Sequence, residues 1–178
     1  MINDCGNRRE FESGAVRDMA EGKGRCDLMP LFDVAAVFRF VGEESAYEIL
    51  YKLSSLLSDD LSQKEKYEYC MMILSDFVDF QRELHETPGS FPNLFLEVAV
   101  HYEEGAKKYG EHNWEKGLPL WCYVDSATRH FLKYLDSWED ERHDRAFVWN
   151  ILGYMYTIRN TPRDPEPVTP AKGSSALK

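Results

Sequence analysis

Between Glu97 and Trp114 the chain reads EVAVHYEEGAKKYGEHNW. As a helix through Lys108, this stretch puts Glu97, His101, Glu104 and Lys108 at i, i+4, i+7 and i+11, on one narrow polar stripe. Leu94 and Val98 border the stripe on one side and Leu96 and Val100 on the other. An ordinary surface helix keeps its charges opposite a single apolar stripe, so this pattern predicts carboxylates and an imidazole held inside a packed bundle. Desolvating such groups without partners costs several kcal/mol each, and a metal ion or a basic ligand is the expected compensation.

The rest of the chain carries the same periodicity. Apolar residues predict helices over Leu31 to Val41, Ser45 to Ser58, Gln63 to Leu84, Leu120 to Leu135 and about Asp140 to Thr157. No stretch alternates as a strand does, so the expected fold is all-α. Thr87 to Pro92 is a breaker, and Gly110, Gly117 and Pro119 fix a loop that carries Tyr109, Asn113 and Trp114. Residues 1 to 10 read as loose. Phe11 to Pro30 is interrupted by Gly14, Gly22 and Gly24 and reads as a non-helical strap. On residue chemistry it is either a solvated loop or a cradle in which Lys23 and Arg25 reach an anion. After Arg159 the Pro-, Ser- and Lys-rich tail is expected to be disordered.

At 178 residues and 43% hydrophobic composition the chain suffices for one domain with a sizeable core. A formal charge of −10 argues against direct binding to a nucleic-acid backbone. Cys5, Cys26, Cys70 and Cys122 have neither zinc-site spacing nor a repeated pattern and read as reduced thiols. No apolar run approaches a membrane span and the first ten residues lack a signal core, so a cytoplasmic protein without membrane contact is expected.

Four segments in order, GAVRDMAEGKGRCDLMP, HYEEGAKKYGEHNWEKG, DSATRHFLKYL and DERHDRAFVWN, together resemble the dATP/dGTP diphosphohydrolase domain family encoded largely by bacteriophages and prophages. The resemblance covers residues 11 to 30 and 94 to 157. It implies kinship with the MazG-like all-α pyrophosphatases, in which paired carboxylates on two helices hold Mg²⁺ against a triphosphate that is cut between its α and β phosphates. Their pattern is ExxE followed by ExxD. Glu141 to Asp144 matches ExxD, whereas Glu97, His101 and Glu104 offer EX6E or HxxE for the first motif, with Glu103 as an alternative carboxylate.

On this resemblance Glu104, Glu141 and Asp144 are the expected Mg²⁺ ligands (Mn²⁺ as a substitute), with Glu97 as a fourth ligand. Glu97 and Glu104 are also the candidate catalytic carboxylates for the attacking water. Arg17, Lys23, Arg25, Lys108 and Arg129 are candidate phosphate contacts, with Tyr109, Asn113, Trp114 and Asn150 beside them. One domain spans 1–158: the strap 11–30, a helical insertion 31–92 and a metal-binding core 93–158, followed by the tail 159–178. The expected substrate is a purine deoxynucleoside triphosphate, and a homo-oligomer is expected. Two alternatives share these residues. One is a non-catalytic protein that sequesters a nucleotide. The other is an HD-type phosphohydrolase built on His143 and Asp144 with His130 and His101.

Overall fold

In the computed structural model, residues 8–18, 23–84 and 91–161 are described, without the side chains of 91 and 92. They form six helices: α1 (Leu31–Phe40), α2 (Glu44–Ser55), α3 (Gln63–Leu84), α4 (Phe91–Tyr109), α5 (Leu120–Leu135) and α6 (His143–Asn160). The all-α expectation holds, and the bounds of α3 and α5 are those the periodicity predicts. Ser62 shows why α3 begins where it does: its hydroxyl accepts from the Glu65 N–H at 3.3 Å while Glu65 Oε2 accepts from the Ser62 N–H at 2.8 Å, a reciprocal cap. At the end of α4, Gly110 takes φ 91° and donates its N–H to Ala106 O at 2.8 Å, which closes the helix in the left-handed conformation that glycine tolerates best.

Helix α6 is the hub. It packs most extensively on α5 and also touches α3 and α4, while α1 and α2 form a pair that reaches the rest mainly through α3. Phe77 of α3 meets Phe147 of α6 at 4.5 Å between ring centroids and Phe131 of α5 at 6.2 Å, forming an aromatic centre where three helices join. The α5–α6 approach is close because α6 carries Gly153. A Cβ there would lie 2.4 Å from the Tyr123 ring.

Several expectations change. The strap contains two three-residue strands, β1 (Arg8–Glu10) and β2 (Val16–Asp18), paired antiparallel with Arg9 opposite Arg17. Residues 8–10 are therefore ordered, and the strap contributes to packing, since Phe11 and Ala15 at the hairpin's turn are buried in the core. Helix α6 starts at His143 and not near Asp140, because Asp140 turns back to bond Lys133 at 2.8 Å and the His143 ring at 2.7 Å. It also runs through Asn160, past the expected start of the tail. The apolar fence around the α4 stripe is one-sided: Leu94 and Val98 are buried, whereas Leu96 and Val100 are 67% and 41% exposed. Residues 1–7, Gly22, most of the 87–92 breaker and residues 162–178 of the tail lie outside the described residues.

Candidate functional site

The α4 stripe exists as a helix face, but its charges are compensated one at a time by other segments. Lys108 donates to Asp18 of β2 at 2.7 Å, and Tyr109 donates its hydroxyl to the same carboxylate at 2.9 Å. Glu104 accepts from the buried Arg145 of α6 at 2.8 Å. Glu97 and Asp144 share Arg142, which reaches Glu97 at 3.3 Å and Asp144 at 2.7 Å. Burial pushes the Asp144 carboxyl upward, but the Arg142 hydrogen bond and charge outweigh it and hold the pKa below its ordinary value. His101 lies in the wall against Trp149, with ring centroids 5.8 Å apart. Burial, helped by Arg145, pushes its pKa down to about 4, so the ring is neutral at pH 7.

Beside this stripe opens a cavity of about 830 Å³. Strand β2 and Lys23 form one wall, the C-terminal half of α4 and the turn at His112 to Trp114 a second, and Ser126, Arg129, His130 and Lys133 of α5 a third. Trp138, Asp140 and Glu141 rim it, and Trp149 and Asn150 of α6 close it. Arg17 of β2, half-buried, lines the cavity. Its guanidinium donates to Cys122 O at 3.2 Å and Asn150 Oδ1 at 2.8 Å and lies 5.6 Å from the Trp149 ring centroid. Burial lowers its pKa from the ordinary arginine value. Both its hydrogen-bond partners are neutral, so its charge is not balanced by any carboxylate among its described contacts.

The hairpin reaches this position because Asn113 pairs with it as another strand would. The Val16 N–H donates to Asn113 Oδ1 and Asn113 Nδ2 donates to Val16 O, both at 2.9 Å. Further along, buried Asp125 accepts the Cys26 N–H at 2.7 Å and Arg129 at 3.0 Å. Arg129 also reaches Gly24 O at 3.2 Å, so α5 holds the strap down.

Of the expected substrate contacts, Arg17, Lys23, Tyr109, Asn113, Trp114, Arg129 and Asn150 line the cavity. Their availability differs. Lys23 is 3.6 Å from Asp18, Asn113 is engaged by the hairpin, and Trp114 is wedged edge-on between Tyr102 and Tyr156. Arg25 is not part of the lining. It pairs with Asp27 at 2.6 Å, a bond that raises its pKa, and lies 4.2 Å from the Trp121 ring centroid. Lys108 is likewise set behind the wall, on Asp18.

Among the four expected metal ligands only Glu141 lines the cavity. Glu97, Glu104 and Asp144 have arginines where a metal was expected, and the four carboxylates do not gather as one group. Among the described residues, the one set of three or more His, Cys, Asp or Glu donor atoms lying within 4.8 Å of one another is His130, Glu141 and His143. His143 faces His130, whereas Asp144, the next residue, is paired with Arg142, so the two side chains at the head of the HD-type alternative have different partners. Sequence reading missed Arg9, Asp18, Lys133 and Trp149 in the lining. Lys133 alone carried a signal, at i+4 from Arg129 on α5.

Residues 81–163 match the family model described as dATP/dGTP diphosphohydrolase, N-terminal. That family is what this part of the chain is similar to. The match, just under half of the chain, takes in α4, α5 and α6 and leaves the strap outside, although the strap supplies Arg17 and Lys23 to the cavity that these helices line. No curated protein and no solved structure gives a match. Among the described residues no helix is long and apolar enough to cross a membrane, and Cys26, Cys70 and Cys122 are free thiols.

Proposed function

We propose that the chain hydrolyses purine deoxynucleoside triphosphates, dATP and dGTP, to the monophosphate and pyrophosphate. Water attacks the α-phosphorus, the bond from that phosphorus to the oxygen bridging to the β-phosphate breaks, and pyrophosphate leaves. The observation that carries this reading is Arg17, a guanidinium in the wall of a nucleotide-sized cavity with only neutral hydrogen-bond partners. A charge so placed is balanced by an anion entering the cavity. Lys23, Arg129 and Lys133 share the lining, so a triphosphate meets a cluster of cations, while Tyr102, Trp138 and Trp149 offer ring faces to a base. The family match supplies the substrate class.

Magnesium belongs to the proposal as the counter-ion that the triphosphate brings with it, since Mg²⁺ is held largely by substrate phosphates and water. A protein-held Mg²⁺ bound by Glu97, Glu104, Glu141 and Asp144 together does not fit the pairing of Glu97 and Asp144 with Arg142 and of Glu104 with Arg145. Self-association remains part of the proposal and is decided by light scattering.

The test is incubation of the purified protein with each dNTP and NTP in the presence of Mg²⁺, with chromatographic separation of products. dAMP or dGMP with pyrophosphate is expected. Tight binding without product would make the chain a sequestering protein, and release of single phosphates would overturn the reaction assigned here.

A further inference from the structure

We propose that His130, Glu141 and His143 form a binding site for one divalent first-row transition-metal ion at the rim of the cavity. His130 Nδ1 lies 3.0 Å from His143 Nδ1 and 3.4 Å from Glu141 Oε1, and His143 Nδ1 lies 3.8 Å from the same oxygen. Donors bound at about 2.0–2.1 Å to one ion are separated by about 2.9 Å when they subtend a right angle and by about 3.4 Å at the tetrahedral angle. The triangle is therefore close to the size that a shared ion requires. One proton between the two rings would join only two of its three corners, whereas a cation joins all three.

The surroundings orient one of the donors. His143 Nε2 faces Asp140 Oδ1 at 2.7 Å, which places the ring proton on that nitrogen and leaves the Nδ1 lone pair directed at the triangle. Lys133 holds the other Asp140 oxygen at 2.8 Å. A carboxylate behind a histidine is the usual support of a metal-bound imidazole, where it orients the ring and strengthens the ligand.

Two imidazoles and one carboxylate select transition ions over Mg²⁺, which prefers oxygen donors. Three protein ligands leave coordination positions open. Because His130 and Glu141 line the cavity, those positions face the space assigned above to the triphosphate, where the ion would take a phosphate oxygen or a water. That last role rests on the proposed function; the binding of metal does not.

The experiment uses the full chain, stripped with a chelator and titrated with Co²⁺ in the absence of nucleotide. One Co²⁺ per chain is expected, with visible ligand-field absorption that Zn²⁺ abolishes and an excess of Mg²⁺ leaves in place. Glu141→Gln and His130→Gln should each weaken binding by at least ~10-fold, and Asp140→Asn by ~10-fold, the scale of ligand and supporting-carboxylate losses. Circular dichroism establishes that each variant is folded, and Glu141, at the surface end of the triangle, is the change least able to disturb packing. Absence of Co²⁺ and Zn²⁺ binding by the folded wild-type chain, equal affinity in Glu141→Gln and His130→Gln, or displacement of Co²⁺ by equimolar Mg²⁺ would each overturn the site. Metal binding without dNTP hydrolysis would leave the site standing and remove the proposed reaction alone.

Discussion

The block formed by α1, α2 and α3 and the block formed by α4, α5 and α6 are both helical and both well packed, yet they bury different things. In the first, Lys52 is the one polar or charged residue among those buried, and it is paired with Glu48 at 2.6 Å and Asp76 at 2.9 Å. In the second, His101, Asp125, Ser126, Thr128, His143, Asp144, Arg145, Asn150 and Thr157 are buried together. Burying a polar group costs free energy that apolar packing would not, and three of these residues, His101, Ser126 and Asn150, line the cavity, which indicates that those helices are shaped by a ligand as well as by stability. The first block is shaped by packing.

The sharpest way to break this contrast is Arg17→Met. If Arg17 is there for an anion, kcat/KM for dATP or dGTP should fall by ~100-fold, the loss of about two charge-assisted contacts. The melting temperature should hold or rise, because removing a half-buried charge without a carboxylate partner relieves a desolvation cost. A large fall in stability with unchanged kinetics would place Arg17 with the packing residues.

A second test addresses His101. Its folded-state pKa of about 4 lies below the ordinary 6.5, so between those values the unfolded chain takes up a proton that the folded chain does not. Stability should be fully present above pH 6.5 and fall as the pH drops towards 4, by on the order of 2–3 kcal/mol. His101→Phe should flatten that part of the curve in chemical denaturation. Residues 31–84 contain no histidine, so the effect belongs to the second block.

Gly153→Ala tests packing inside the second block. The added methyl meets the Tyr123 ring, and overpacking of this kind costs about 1–3 kcal/mol, read as a lower melting temperature. Smaller still is Lys23→Ala, for which a ~10-fold rise in KM is expected because Asp18 already shares that charge. Arg25→Ala should change turnover little, since Arg25 is held by Asp27 and Trp121. At the bottom of the scale, Phe40→Ser in the first block, at a side chain 91% exposed, should leave stability within about 0.5 kcal/mol and activity unchanged.

What the sequence revealed follows the same division. Helices α3 and α5 could be bounded from their periodicity because apolar burial decides it. The polar stripe of α4 could also be found, but not what compensates it. Arg142 and Arg145 lie some forty residues away and reach it only after α6 has docked, so arginine pairing and metal ligation look alike from the chain. His130 and His143 could be named from the sequence for one alternative and Glu141 for another, but not joined as a triangle: they come from the last turns of α5, the connecting loop and the first residue of α6, and no helical period links them. The hairpin escaped because two three-residue strands are too short to show alternation, and its glycine turn conceals Phe11 and Ala15 as core residues.

The position of that hairpin also has a bearing on how the protein is made. Its ties run from Ser13 to Gly117, Val16 to Asn113 and Arg17 to Asn150, so each joins residues separated by roughly a hundred positions or more. At a synthesis rate of about 5–20 residues per second, the hairpin leaves the ribosome several seconds before its partners exist. Phe11 and Ala15 wait in solvent for that time, and the cavity wall cannot close until α6 has been made. High-separation contacts of this kind form late. A chain interrupted before Asn150 would therefore have no binding site, and α3 would lack part of the α6 face on which it packs.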